Sequence, residues 1–266
     1  MKNYNLLLFI GLGLLLFFYS RTDGKENVSA DASSSMRAFD PTYNPDQSIA
    51  DFLTYRALLT GQAKMAVTGS SVTKGSGSSH QSKTWRGIIQ EKLRYTHKAL
   101  RNLTISNYGH SGYTSVRLLE EEVTAPIISE KPDVLFIETS VINNHNKNVT
   151  IEETLESLVQ LHKLYSEALP NTKIYFMSPN PCTENKFGPE INSLGYTFID
   201  YVNATAEFIK DKGWAYFDTH GSMLEEMEKE NIALPSTLKD GIHPNDKGYA
   251  IWGKVLSPYL VKKGTH

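Results

Sequence analysis

Five short apolar and β-branched runs, at 64–68, 103–107, 133–139, 173–178 and 214–218, punctuate a chain that otherwise spaces its apolar residues every three or four positions. The short runs predict strands and the longer stretches predict helices. The clearest helix carries Leu155, Leu158, Val159, Leu161, Leu164 and Ala168 on one face. Thr150 with Glu153 predicts a capping-box start for it, and Pro170-Asn171 its end. Pro132 and Gly213 mark the entries to the third and fifth strands. Strands alternating with helices predict a mostly parallel sheet covered on both faces. The expected fold class is therefore α/β, a three-layer α/β/α domain around a five-stranded sheet, spanning residues 62–263.

The first 61 residues follow other rules. Lys2 precedes an uncharged, mostly apolar run at 6–19, which Arg21 closes. A positive start followed by an apolar core fits an export signal. A membrane-spanning helix needs ~20 apolar residues, range roughly 17–25, and the run 4–20 lies at that lower margin. No Ala-x-Ala cleavage site follows it. Residues 1–21 are thus expected to be a signal peptide or an uncleaved membrane anchor. The protein is expected to be exported, tethered to a membrane through residues 6–19 or secreted. Residues 22–61 read as a polar, serine-rich linker and then a lead-in helix marked by Ile49, Phe52, Leu53, Leu58 and Leu59.

Composition narrows the partners. The 266 residues carry a formal net charge of −2 with 21% charged residues, and Lys and Arg are scattered. No nucleic-acid footprint results, which leaves a small molecule or a neutral polymer. Cys182 is the single cysteine, so neither an internal disulfide nor a cysteine-based zinc site is available. No H-E-x-x-H spacing occurs, and no metal or cofactor is expected.

Candidate chemistry gathers where this architecture binds ligands, beyond the carboxyl ends of the strands. Ser71 lies on a glycine-bounded turn after the first strand, Gly112 beyond the second and Asn143 beyond the third. His243 stands before the last helix, with Asp240 three residues ahead of it. Each is ordinary in isolation: Ser71 has Ser70, Ser76, Ser78 and Ser79 around it, and Asn143 is followed by Asn144, Asn146 and Asn148. Together they are the side chains that serine-based acyl transfer needs. A serine nucleophile requires a base, the base an orienting carboxylate, and the tetrahedral oxyanion fixed donors. The backbone amides of Ser71 and Gly112 and the side chain of Asn143 would supply those donors. Tyr108, His110, Tyr113, Asn144 and His145 are candidates for the substrate cleft. Cys182 also follows a strand, but nothing in its spacing supports it as a nucleophile.

These blocks resemble the SGNH (GDSL-type) hydrolases. The block that usually reads G-D-S-x-T-x-G is matched by Gly69-Ser70-Ser71-Val72-Thr73-Lys74-Gly75, the second by Asn107 and Gly112, and D-x-x-H by Asp240 to His243. The resemblance implies a flavodoxin-like three-layer fold. It implies Ser71, Gly112, Asn143 and His243 as the four name-giving residues, with Asp240 orienting the histidine. Two departures stand out. Ser70 occupies the place of the usual aspartate. The third block, usually G-x-N-D, reads Ser140-Val141-Ile142-Asn143-Asn144, without the glycine and one residue longer. Either asparagine suits the donor role, and Asn143 is favoured. The expected activity is that of an extracytoplasmic serine esterase removing small acyl groups, acetyl by family habit, from a carbohydrate. A cell-surface O-acyltransferase using the same triad, or an inactive carbohydrate-binding relative, are the alternatives.

Overall fold

The computed structural model describes residues 36–183 and 190–264. The expected signal or anchor at 1–21 and the linker up to residue 35 lie outside the described residues. No described helix is long and apolar enough to cross a membrane. Residues 36–45 belong to a separate small unit, and one compact unit begins at Asp46.

Five parallel strands form one sheet in the order β2-β1-β3-β4-β5. They are β1 (Lys64–Gly69), β2 (Thr104–Gly109), β3 (Val134–Glu138), β4 (Lys173–Met177) and β5 (Tyr216–Phe217). Each lies within two residues of its predicted position. β5 is shorter than expected because it pairs only through Tyr216 and Phe217 at the sheet edge, while Trp214 stacks on His162 at 4.1 Å.

The helices are α1 (Ile49–Thr60), α2 (Ser71–Lys74), α3 (Trp85–Thr96), α4 (Glu121–Glu130), α5 (Val141–Asn146), α6 (Ile151–Ala168), α7 (Phe198–Asp211), α8 (Thr219–Lys229) and α9 (Asp246–Val261). The capping box of Thr150 and Glu153 opens α6 as predicted. β3 shows why the sheet is covered twice. Val134 and Phe136 enter one core with α1, α3, α8 and α9, whereas Leu135 and Ile137 enter a second with α4 and α6. Successive side chains of a strand point to opposite faces, and here both are apolar.

One boundary needs correction. The lead-in helix was expected to precede the domain at residue 62, yet α1 is part of its core. Ile49, Ala50, Phe52 and Leu53 are buried in it. Arg56 Nε donates to Asp133 Oδ1 at 2.6 Å, and the other oxygen of Asp133 takes the Lys64 N–H at 2.8 Å. Helix, first strand and third strand are thereby fastened at one corner, and the domain starts at Asp46.

Candidate active site

The chain leaves β1 for β2 on one side and then crosses back to place β3 on the other. That reversal opens a crevice at the carboxyl ends of β1 and β3. Gly69 ends β1, and Ser71 begins the four-residue α2 there. Tyr249 of α9 donates its hydroxyl to the carbonyls of Val72 (3.1 Å) and Ser76 (2.8 Å), which anchors this turn from the final helix.

The same helix fixes the other half of the site. Asn245 caps α9 and also donates to the carbonyls of Ser236 and Leu238. Lys239 N–H donates to the His243 carbonyl at 2.8 Å, drawing the segment between them into a tight loop. Inside it, Asp240 Oδ1 accepts the N–H groups of Ile242 (3.1 Å) and His243 (2.9 Å). Its Oδ2 lies 2.7 Å from His243 Nδ1, and His243 Nε2 lies 2.9 Å from Ser71 Oγ. The three residues meet at one rim of the sheet. An ionised Asp240 only accepts, so Nδ1 carries the ring proton and Nε2 accepts from the serine hydroxyl. Burial alone would push the Asp240 carboxyl up, but hydrogen bonds from the His243 ring and from the His243 and Ile242 backbone hold it below the usual range.

Two contacts that the sequence reading missed bring these loops together. A Cβ on Gly77 would lie 2.4 Å from the Pro244 carbonyl and 3.0 Å from His243 Cβ, so only glycine lets the loop after Ser71 pass this close. Asn180, after β4, donates to the Ile242 carbonyl at 2.9 Å. A glycine in a serine-rich loop and an asparagine between two prolines offered little signal for either role.

The expected oxyanion donors lie in the segments that follow β1, β2 and β3. Among the described residues, neither the Ser71 nor the Gly112 backbone N–H has a hydrogen-bond partner. Asn143 donates one amide proton to the Tyr113 carbonyl at 2.9 Å, which ties its side chain to the Gly112 loop and leaves the second proton uncommitted. Asn144 is a different case. It is fully buried, and its amide donates to Ser115 Oγ (2.7 Å) and Thr154 Oγ1 (2.8 Å) while its oxygen accepts Ser115 N–H (2.9 Å). Neither the donor role nor a place in the cleft is open to Asn144.

A model of the GDSL-like lipase/acylhydrolase family matches residues 67–251. The chain belongs to this family. It is a carboxylic ester hydrolase of the SGNH type. No curated protein matches the chain. Among solved structures it is similar to a two-domain esterase (CEX) active on acetylated mannans, with 22% identity and a TM-score of 0.61 over 81% of this chain and 54% of that one. An acetyl-xylooligosaccharide esterase from Geobacillus Stearmophilus shares 18% identity and a TM-score of 0.58, over 74% of this chain and 94% of that chain. A GDSL-like protein from Parabacteroides merdae ATCC 43184 shares 19% identity and a TM-score of 0.60, over 74% and 95%. At these identities the three establish a common fold.

The remaining cleft candidates of this GDSL-like hydrolase divide. The Tyr113 ring lies between the His110 ring (centroids 4.8 Å apart) and the Arg117 guanidinium (3.6 Å above it), in the loop that carries Gly112. Burial, together with Lys74 nearby, lowers the His110 imidazole despite opposing Glu122 and Glu120. His145 lines a narrow recess with Ile142, Asn146, Cys182, Thr183, Phe198 and Ile242. Ile142 and Ile242 directly precede Asn143 and His243, so the recess adjoins the loops that carry them. Tyr108 is not in the cleft: its hydroxyl donates to Glu130 Oε2 at 2.8 Å, against the core beneath α4. A wider groove of about 580 Å³ along α3 contains none of the triad. There Arg86 and Arg94 donate to the carbonyls of Ile105 and Leu103, and Gln90 accepts the Ile105 N–H. These side chains occupy the backbone groups that edge strand β2 would otherwise expose.

Proposed function

We propose that this hydrolase is an extracytoplasmic esterase that removes acetyl groups from a carbohydrate through a Ser71-His243-Asp240 triad. One observation carries the reading: the unbroken chain of contacts from Asp240 through His243 to Ser71 at the open crevice. His243 Nε2 takes the hydroxyl proton as Ser71 Oγ forms its bond to the ester carbonyl carbon. The oxygen that becomes negative is met by the Ser71 and Gly112 amides and the free amide proton of Asn143. As the tetrahedral intermediate collapses, the bond from carbon to the sugar oxygen breaks and imidazolium protonates the departing alcohol. Water then attacks the acyl-serine, His243 takes its proton, and Ser71 leaves with that proton as acetate departs. Asp240 stays ionised throughout and offsets the transient imidazolium charge.

The substrate class rests on separate support. The similar structures include esterases acting on acetylated mannans and acetyl-xylooligosaccharides. The export-like segment at 6–19 supports a location outside the cytoplasm. The test is acetate release from acetylated oligosaccharides, run beside fluorophosphonate labelling of the protein and of its Ser71→Ala variant. Wild-type labelling and acetate release, both abolished by Ser71→Ala, are expected. Labelling that survives the substitution would place the nucleophile elsewhere. Acetyl passed to a sugar hydroxyl instead of water would make the protein a transferase.

A further inference from the structure

We propose that Glu138 is a positioning residue whose carboxylate clamps the nucleophile turn to the Asn143 loop and so sets the oxyanion hole. The inference rests on the catalytic roles proposed above for Ser71 and Asn143. Glu138 ends β3 behind the crevice, and it is only 1% exposed. The rest of that strand is Val134, Leu135, Phe136 and Ile137, all buried, so packing alone would favour another aliphatic residue here. Among the described residues no cation pairs with it within 4 Å. A buried carboxylate without a counter-charge is costly unless hydrogen bonds replace its water.

Those bonds come from both catalytic loops. Oε2 accepts the Ser70 N–H at 2.7 Å and the Thr73 hydroxyl at 3.3 Å, on either side of Ser71. Oε1 accepts the Ser140 N–H at 2.7 Å. Ser140 sits in the left-handed region (φ 56°, ψ 19°) as the N-cap of α5, three residues before Asn143. A non-glycine residue there is disfavoured, and the bond to Glu138 helps hold it. The Ser71 amide and the Asn143 side chain thus hang from two oxygens of one group. Misplacing catalytic groups by about 1 Å can cost ~100-fold in rate, which gives a fixed spacer its value.

Two features of the sequence then acquire a reason. A Cβ on Gly69 would lie 2.6 Å from Glu138 Oε2 and 2.7 Å from Glu138 Cβ, so the first glycine of the block makes room for this side chain. The aspartate usually found in that block is absent at Ser70, and a carboxylate enters instead from the neighbouring strand.

The test compares the full-length protein with Glu138→Gln, a substitution of nearly equal shape. Its NH2 group must face one of the two backbone donors, releasing one loop. We expect kcat for an acetyl ester, per folded molecule, to fall about 100-fold with KM changed less than about 3-fold. Amide hydrogen exchange at Ser70 or Ser140 is expected to quicken at least about tenfold. A kcat per folded molecule within about 3-fold of wild type overturns the proposal. Should Glu138→Gln fail to fold, Glu138→Asp keeps the carboxyl group but is one methylene short of spanning both loops, and the same two criteria apply. Ester cleavage that survives Ser71→Ala would overturn the nucleophile assignment instead, and unchanged exchange at both amides would still overturn the clamp.

Discussion

His243 Nε2 lies 2.9 Å from Ser71 Oγ although 172 positions separate them in the chain. The contact is built from both sides. Tyr249 holds the serine turn by two carbonyls, and Asn245 at the start of the same helix caps the histidine loop. α9 is therefore the common frame of nucleophile and base, and the stacked pair Trp85 and Trp252, 5.2 Å apart, sets that helix against α3.

Asp240→Asn tests the orientation of the base. The amide keeps the size of the carboxylate but can present an N–H to Nδ1, which favours the wrong ring tautomer and removes the charge facing imidazolium. Turnover of an acetyl ester should fall by about 10²–10⁴-fold. Kinetics at saturating substrate measure the loss, and a melting curve close to wild type shows that it is catalytic.

Asn143→Ala and Asn144→Ala should separate cleanly although the residues are neighbours. Asn143 keeps one amide proton uncommitted for the proposed oxyanion hole, so its loss should cost about 10²–10³ in kcat and little stability. Asn144 is buried among Ser115 and Thr154, so its loss strands polar groups and should cost at least about 2 kcal/mol of folding stability. Denaturant titration and initial rates on both variants check the contrast.

Stability in acid should depend on Asp246. The ion pair with Lys83 at 2.8 Å, and then hydrogen bonds from the Ser79 backbone and hydroxyl, hold its carboxyl well below the ordinary 3.8. A depressed carboxyl contributes stability that is complete above the unfolded value and fades as pH falls through the folded one. Asp240 is depressed as well and acts with the same sign. Asp246→Asn should therefore melt below wild type at about pH 6, and the difference should shrink as pH falls from about 4 towards about 2. A constant difference across that range would contradict the assignment.

The succession of strands and helices was legible in the local pattern, because burial on one or both faces imposes periods of 2 and 3.6. The sequence also determined the chemistry on offer, since Ser71, Asp240 and His243 follow strands or precede a helix in a spacing that narrows their use. Tertiary structure decided what periodicity leaves open. Residues adjacent on a helix point about 100° apart, so α5 leaves Asn143 half-buried on the Tyr113 carbonyl and sends Asn144 into the core, a choice invisible in a run of asparagines. Tyr108 shares a segment with His110 and Tyr113, yet it lies within β2 on the face of Ser106, and both bond Glu130, whereas the other two lie in the loop beyond the strand. α1 joined the domain through Phe52, Leu53 and Arg56, whose partners lie on distant strands. Glu138 looked like one acid in a hydrophobic run, and only the meeting of two loops behind Ser71 gave its carboxylate something to hold.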